Sequence, residues 1–453
     1  MRIGPGVQRE DLQQRKTSNG RYEGPAKEFS HFPERIPLRG RIATCLGADR
    51  FIVVACRKAP QPSAFGNCDN RKLLRKRLEF FYVEAGGGHK SAATALKAVA
   101  DSQNRPWDIT LTNLNHVVSS TDHFKTLTGR GLEDWYNWML KEGWTLGAAP
   151  AMRPMHALIW LFGGTITRLL RRHFEDESRP DLVVSLIPHF NRYLNRAVRE
   201  YSPTVPFATV ITDFADIPPR VWLEQQQQYV AAGTEKAVQQ AYGFGLPPDH
   251  VLRTSGMILR PSFYDVKPVD RVAERARLGL KPDIPTALVL FGGEGASAMT
   301  DIARRLDASE LDLQLILMYG RNEQLGAKLR QLKLRIPVHV QGFTTGVPLY
   351  MQIADFMLGK PGPGSISEAL AMRLPVIVDC NAWTMPQERY NAEWLVENKL
   401  GMVVKNWREV ANAVQKMMAP GVLNGYRARA AKVENRAVFE IADWLARVIE
   451  RGP

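Results

Sequence analysis

The sequence contains little cysteine and no long apolar run. Four cysteines occur in 453 residues, and their spacing fits neither a metal site nor a disulfide framework, so we expect a reducing cytosolic compartment. No run of about 18 apolar residues is present, which argues against a membrane-spanning helix. The first residues lack the apolar core of a secretory signal.

Acidic residues are outnumbered, and the imbalance is concentrated at one end. The formal net charge is +14, and residues 1–77 hold 17 Lys/Arg against 7 Asp/Glu. Such a basic segment can bind nucleic acid or an anionic membrane surface. Because no nucleic-acid motif accompanies it, we expect no nucleic-acid partner. Weak periodicity predicts a mostly disordered extension over 1–77, and a mis-assigned translation start is one hypothesis for its origin.

Buried strands that end in glycine turns organise the rest of the chain. Such turns occur at 86–88, 292–295 and 362–364, with shorter ones at Gly320 and Gly342. In an open α/β sheet they lie at the carboxyl ends of strands, where backbone N–H groups and helix N-termini favour an anion. No Gly-Lys-Ser/Thr follows any of them, so we expect a nucleotide whose diphosphate is not transferred. Two α/β halves joined by residues 261–285 would place the site between them.

Three polar residues near the first turns have two interpretations each. His89 directly follows three glycines at a predicted helix start, where the helix dipole favours a neutral imidazole. It is either a general base at the mouth of a cleft or a surface histidine beside a tight turn. Asp213 and Asp216 follow the strand at 207–213. They either support a base or an acceptor hydroxyl, or cap the turn before Pro218.

Two helix starts in the second half are similarly ambiguous. Ser365 and Glu368 fit a capping box, but Glu368 is also placed to meet a ribose or sugar hydroxyl. Gln387, Glu388 and Asn391 begin a later helix. They either hold sugar hydroxyls or cap that helix.

Residues 132–173 combine aromatic and basic side chains. Trp135, Trp138 and Trp144 come first, and Trp160 precedes a cluster of arginines at 168–172. Aromatic side chains beside cations suit a protein that lies in the headgroup layer of a membrane. An ordinary buried helix pair with a basic last turn is the alternative.

The ordered motifs resemble those of one glycosyltransferase family. The motifs are Gly86–His89, Thr209–Asp213, Arg260–Phe263, Gly292–Gly295, Gly320–Asn322, Gly342–Phe343, Lys360–Glu368 and Pro386–Asn391. Over about residues 78–440 they resemble monogalactosyldiacylglycerol synthases and the related bacterial processive diacylglycerol glucosyltransferases. More distantly they resemble the N-acetylglucosaminyltransferase that makes lipid II.

The resemblance implies an α/β GT-B fold with two Rossmann-like domains facing a central cleft. We expect an acceptor and membrane-facing domain at 78–265, a UDP-sugar domain at 266–435, and a helix at 436–453 that crosses back. The implied reaction is an inverting transfer of galactose or glucose from UDP-galactose or UDP-glucose to the 3-hydroxyl of diacylglycerol. No metal or other cofactor is expected to be obligatory. We expect a cytoplasmic enzyme, peripheral on the anionic inner face of the plasma membrane.

The resemblance also implies roles for individual residues. It places His89 at the base position, and we expect Asp213 to support it. The expected donor-binding positions are Gly88, Gly293, Glu294, Gly295 and Arg321 near the diphosphate, Gly342, Phe343 and Thr344 at the uracil, Gly362, Pro363, Gly364 and Ser365 at the second phosphate turn, Glu368 at the ribose, and Gln387, Glu388 and Asn391 at the sugar.

Two positions depart from the family pattern. Ile187, Pro188 and His189 stand where the family tends to have His-Pro, and Trp383 to Pro386 precede Gln387 where the family has a small residue. The first departure leaves the identity and orientation of the acceptor open, and the second leaves the choice between galactose and glucose in the donor open. The alternative functions are a UDP-N-acetylglucosamine-using lipid II-type transferase or 2-epimerase, and a catalytically silent, membrane-associated binder of nucleotide sugars.

Overall fold

The computed structural model describes residues 75–84, 87–119 and 159–453. The predicted extension 1–77 and residues 132–158 of the aromatic-basic segment therefore lie almost wholly outside the described residues. Twelve strands form within the described part of the chain: β1 (Lys76–Tyr82), β2 (Trp107–Asn113), β3 (Leu182–Ser185), β4 (Phe207–Val210), β5 (Tyr229–Ala232), β6 (Val251–Arg253), β7 (Thr286–Leu290), β8 (Gln314–Gly320), β9 (Val338–Gly342), β10 (Phe356–Gly359), β11 (Val376–Asp379) and β12 (Gly401–Val404).

The strands form two six-stranded sheets in which every pairing is parallel. The orders are β2-β1-β3-β4-β5-β6 and β12-β11-β10-β7-β8-β9. Leu78 pairs with Leu182 in the first sheet, and Leu358 pairs with Val289 in the second. Central strands such as β3 are buried along their whole length, because helices cover both faces of a parallel sheet. The expected pair of Rossmann-like halves is confirmed.

Helices connect most successive strands in both halves, whereas a loop without a helix joins β4 to β5. The α-helices in the described residues are α1 (Gly88–Ser102), α2 (Leu114–Ser119), α3 (Gly163–His173), α4 (Asn191–Tyr201), α5 (Glu235–Gly243), α6 (Arg271–Arg277), α7 (Ala298–Asp307), α8 (Glu323–Arg330), α9 (Val347–Ile353), α10 (Pro363–Ala371), α11 (Pro386–Glu397), α12 (Val410–Met418), α13 (Val422–Ala430) and α14 (Ala437–Arg451). A π-helix (Phe174–Ser178) follows α3, and 3₁₀ turns form at Pro248–His250, Pro261–Phe263 and Trp407–Glu409.

Each half completes its core with a segment from the other. Helix α14 packs Val438, Ile441 and Leu445 into the cluster built by β1 and α1. In the opposite direction, Phe214 and Ala215, which follow β4, lie in the cluster formed by the second sheet. The two halves therefore share hydrophobic cores as well as a cleft.

Candidate active site

Two topological switch points assemble the candidate site. In the first sheet the strand order reverses at β1 and β3, and α1, which carries His89, follows β1. In the second sheet the reversal lies at β7 and β10, whose carboxyl ends lead into the glycine turns 292–295 and 360–364. Ligands of open α/β sheets bind at such points.

His89 lies half-buried at the start of α1. The preceding Gly87 has a φ of 78°, a left-handed conformation that glycine adopts without strain. The Nδ1 atom of His89 lies 3.0 Å from Oγ1 of Thr212. Burial lowers the pKa of His89 to about 4, and a hydrogen bond with the backbone of Leu186 only partly opposes this. The ring is therefore neutral at pH 7, as predicted, and burial is the main cause.

Asp213 is near His89 but contacts it through another side chain. Its Oδ2 accepts a hydrogen bond of 2.9 Å from Nε1 of Trp222, and the centroid of that indole lies 5.8 Å from the His89 ring. Burial raises the pKa of Asp213 to about 6, while the Trp222 bond opposes the shift. Asp213 thus fixes an aromatic neighbour of His89, whereas the adjacent Thr212 makes the direct contact.

Of the two roles predicted for Asp216, the structure shows the structural one. Its carboxylate is fully buried and accepts hydrogen bonds from the backbone N–H groups of Arg220, Val221 and Trp222. It therefore organises the loop that presents Trp222 to Asp213.

Two glycine turns of the second half interlock near the predicted diphosphate position. Gly320 has a φ of 66°, and a Cβ atom there would overlap the carbonyl oxygen of Gly293. The N–H group of Arg321 donates to that same oxygen at 2.8 Å. The Arg321 guanidinium lies 3.9 Å from the ring centroid of Phe343 and 3.9 Å from the Glu294 carboxylate. These turns therefore hold a cation at the carboxyl ends of β7 and β8.

The predicted uracil turn follows β9. A Cβ atom at Gly342 would lie 2.7 Å from the Tyr319 hydroxyl, so only glycine fits there without a shift. Phe343 is 53% exposed, which leaves its ring available to a planar ligand. Thr344 Oγ1 accepts a hydrogen bond from the N–H group of Gly346 and so closes the turn.

The second phosphate turn leads into α10, and its predicted capping box is not formed. Gly362 is the N-cap and no side chain caps this helix, while Ser365 Oγ donates to the Gly362 carbonyl at 3.1 Å. Glu368 Oε1 instead accepts a hydrogen bond of 3.2 Å from Arg260. Burial raises the pKa of Glu368, and Arg260 opposes the shift. Glu368 is therefore an ion-pair partner of Arg260 and not a cap of α10.

Helix α11 brings two unsatisfied oxygen atoms to the end of this turn. Asn391 is fully buried and donates to the Pro361 carbonyl at 2.8 Å, but its Oδ1 has no partner. The Oε1 atom of Gln387 is also buried without one. Glu388 accepts a hydrogen bond of 2.8 Å from Lys360. Because buried acceptors in proteins are normally paired, two orphans together point to a ligand that donates hydroxyl groups.

Contacts across the cleft hold the halves close together. Phe214 of the first half packs edge-on against Trp394 of the second, with 4.8 Å between ring centroids. The ammonium of Lys236 lies 3.7 Å from the ring centroid of Tyr390. The charges of Glu388 and Lys360 both act on the pKa of Asp213. The two sets of predicted site residues thus face one cleft.

The described end of the aromatic-basic segment presents an exposed apolar and basic surface. Trp160 and Leu161 are 70% and 66% exposed, and they precede α3, whose Arg168 and Arg172 are also exposed. The opposite side of the same helix is buried through Ile166. None of the described helices is long and apolar enough to cross a membrane.

Four residues of the site had no predicted role: Thr212, Trp222, Arg260 and Lys360. Three of them lie within or beside motifs that the sequence analysis singled out, so their positions carried a signal. The contacts of Thr212, Arg260 and Lys360, however, join residues that are 28 to 123 positions apart in the sequence. No local pattern specifies such pairings.

The fold and the site define a class of protein. Residues 286–443 match the glycosyltransferase family 28 C-terminal domain. The crystal structure of Acinetobacter baumannii MurG superimposes with a TM-score of 0.54 at 12% sequence identity, covering 82% of this chain and 99% of that one. The chain has the GT-B fold, and its second half belongs to a glycosyltransferase domain family.

Relatives with similar sequences indicate which group of glycosyltransferases the chain is similar to. Monogalactosyldiacylglycerol synthase 1, chloroplastic, from Arabidopsis thaliana is 29% identical over 399 residues, which is 83% of this chain and 72% of the relative. A probable monogalactosyldiacylglycerol synthase, chloroplastic, from Glycine max is 30% identical over 362 residues, 76% of this chain and 66% of the relative. The chain is a homologue of the monogalactosyldiacylglycerol synthases, as its motifs indicated.

Proposed function

We propose that this chain transfers galactose or glucose from a UDP-sugar to the 3-hydroxyl of diacylglycerol, with inversion, to form a β-glycolipid. One observation carries the proposal. Asp213, whose neighbour Thr212 contacts His89, lies within electrostatic reach of Lys360 and Glu388. The candidate base and the donor-binding half therefore meet at one point of the cleft.

His89 acts as the base in this reaction. Its neutral ring removes the proton of the acceptor hydroxyl while that oxygen forms a bond to the anomeric carbon. The bond from the anomeric carbon to the diphosphate oxygen breaks on the opposite face, and its electron pair leaves with UDP. A pKa of about 4 keeps the ring unprotonated throughout the neutral range, so that it is able to accept this proton.

The second half holds the donor. The N-terminus of α10 and the turn at 292–295 face the diphosphate, because helix ends and glycine-rich backbone stabilise anions. Glu368 binds the ribose, and Phe343 contacts the uracil. The unpaired oxygens of Gln387 and Asn391 accept hydrogen bonds from sugar hydroxyls. We propose that no metal is obligatory, so transfer should persist in a chelator.

The acceptor reaches the site from a membrane. Trp160 and Leu161 enter the headgroup layer, while the arginines of α3 contact anionic lipid. We propose that the enzyme works as a peripheral protein on the inner face of the plasma membrane.

An in vitro transfer assay tests the proposal. The full chain is given diacylglycerol in mixed micelles with UDP-galactose, UDP-glucose or UDP-N-acetylglucosamine in separate reactions, each with and without EDTA. We expect one β-glycolipid from one of the two hexose donors, unaffected by EDTA. Product only from UDP-N-acetylglucosamine would show a different donor for the same acceptor, and UDP binding without any glycolipid would favour the lipid II-type transferase, the 2-epimerase or the silent binder.

A variant of His89 tests its role as the base. His89→Gln should reduce kcat by at least about a hundredfold, because general-base catalysis contributes on that scale, while UDP binding is retained. Undiminished transfer by this variant would exclude His89 as the base.

A further inference from the structure

Lys360 is a cation placed between the two glycine turns of the second half. It directly follows β10, whose neighbour in the sheet is β7, so the turns after both strands are adjacent. Its Cε atom lies 4.0 Å from the position that a Cβ of Gly292 would take and 3.5 Å from that of Gly362. The lysine stem thus lies within van der Waals distance of both turns.

The ammonium of Lys360 has one close anionic partner. It donates to Glu388 at 2.8 Å, and the side chains of Lys360 and Glu388 are 44% and 12% exposed. The charge of Glu388 raises the pKa of Lys360 more than burial lowers it, so the lysine stays charged. The pair lies beside the unsatisfied oxygens of α11, where Asn391 donates to Pro361, the residue after Lys360.

We propose that the Lys360–Glu388 pair occupies the donor site until a nucleotide sugar arrives, and that the two side chains then exchange partners. The ammonium of Lys360 turns to the β-phosphate, and the released Glu388 carboxylate accepts a hydrogen bond from a hydroxyl of the sugar. Lys360 is then a catalytic residue that stabilises the leaving group. This inference rests on the proposed function, because it takes a UDP-sugar as the ligand.

The charge changes during transfer explain why a cation belongs at this position. When the bond between the anomeric carbon and the diphosphate breaks, the electron pair stays on the β-phosphate oxygen while the acceptor proton moves to His89. The β-phosphate therefore gains negative charge in the transition state. A fixed cation there stabilises the transition state more than the ground state. It adds to the effect of the α10 N-terminus, which contributes only a partial charge.

Comparing the affinities of nucleotides with different numbers of phosphates tests the contact between Lys360 and the β-phosphate. The affinities of uridine, UMP and UDP are measured calorimetrically on the full chain for the wild type and for Lys360→Met, which keeps the length of the side chain and removes its charge. We expect Lys360→Met to weaken UDP binding by about tenfold or more, as loss of a charged hydrogen bond does. Uridine and UMP should bind within about twofold of the wild type.

Two further variants separate the possible outcomes. Lys328→Met removes an exposed lysine from α8 in the same half and should leave all three affinities unchanged. Glu388→Gln should tighten UDP binding, because the Lys360 ammonium then no longer has to break an ion pair with a carboxylate before it reaches the phosphate.

Equal UDP affinity in the wild type and Lys360→Met would overturn the inference, and so would a loss of UDP affinity in Glu388→Gln as large as in Lys360→Met. Failure of the wild type itself to bind UDP would instead refute the proposed function. Thermal unfolding of each variant shows whether it is folded. If Lys360→Met does not fold, Lys360→Gln serves as a second variant without the charge.

Discussion

The contact between Thr212 and His89 connects two strand ends that are far apart in sequence. Thr212 follows β4 and His89 follows β1, yet Oγ1 and Nδ1 lie 3.0 Å apart. A hydrogen bond at one ring nitrogen fixes the orientation of an imidazole and determines which nitrogen remains for substrate. In the proposed reaction, Thr212 is therefore a positioning residue for His89.

Removing the Thr212 hydroxyl should affect catalysis without affecting donor binding. Thr212→Val is expected to lower kcat by about ten- to a hundredfold, since small misplacements of a base have effects of that size. The KM for the donor and the affinity for UDP should stay within about twofold. Steady-state kinetics and calorimetry measure these quantities.

Thr212→Ser is the matched control, because it keeps the hydroxyl and should recover most of the activity. If Thr212→Val kept the kcat of the wild type, the positioning role would be wrong. A parallel fall in kcat and UDP affinity would indicate a general structural defect instead.

At the scale of single residues, the sequence predicted the neutral state of His89 but not the side-chain contacts around the candidate site. His89 was predicted to be neutral from its place at a helix start, and the structure agrees. Glu368 fitted a capping box by spacing alone, but Arg260, 108 residues earlier, binds it. Tertiary contacts of this kind leave no periodic signal along the chain.

Among the elements, α3 has one buried side and one exposed side. Ile166 and Leu170 are buried, while Arg168 and Arg172 face solvent. Trp160 and Leu161 lie just before its first turn and are among the most exposed large apolar side chains in the described residues. A monomeric protein normally buries such side chains, so their exposure suggests a surface that is covered in use.

Replacing these two side chains should weaken membrane binding but not folding. Trp160→Ser combined with Leu161→Ser is expected to reduce binding to phosphatidylcholine vesicles that contain roughly a quarter phosphatidylglycerol by about tenfold. The free energy of unfolding should change by less than about 0.5 kcal/mol, because both side chains are exposed. Vesicle sedimentation and urea denaturation measure the two effects.

Val272→Ser is the matched control, since Val272 is an exposed apolar residue of α6, 56% accessible, in the second half. It should leave vesicle binding unchanged. Undiminished vesicle binding by the double variant would show that this end of α3 is not the membrane contact.

The sequence predicted most elements, but not all of their limits. Strand β2 was not predicted: its alternating polar and apolar residues (Trp107–Asn113) are typical of the edge position that it takes. Helix α4 begins at Asn191 and not directly after Pro188. The cause is His189, whose φ of 70° is incompatible with a helix.

At the scale of the whole molecule, the shared cores connect the two halves. Phe214, 2% exposed, belongs by sequence to the first half and by packing to the second. Helix α14 makes the reverse connection, and Arg105 of the first half forms an ion pair with Asp443 on this helix. We therefore expect the described residues of the two halves to unfold as one cooperative unit.

Truncating Phe214 should destabilise the molecule as a core substitution does. Phe214→Ala is expected to lower the free energy of unfolding by about 3 kcal/mol or more. In a double-mutant cycle with Trp394→Ala, the coupling energy should be about 0.5–1.5 kcal/mol, the usual value for an aromatic pair. Tyr242→Ala, at a half-exposed position, should cost far less. Additive effects of the two truncations would contradict the contact.

The exchange of core segments has a consequence for how such an enzyme can be dissected. The second half produced alone would lack Phe214 and Ala215 and would expose the apolar hollow that they fill. The first half produced alone would lack α14 and expose the face of α1. Neither half is therefore a portable module, and a chimaera that borrows the donor half of a relative must also carry over the loop after β4 and the final helix.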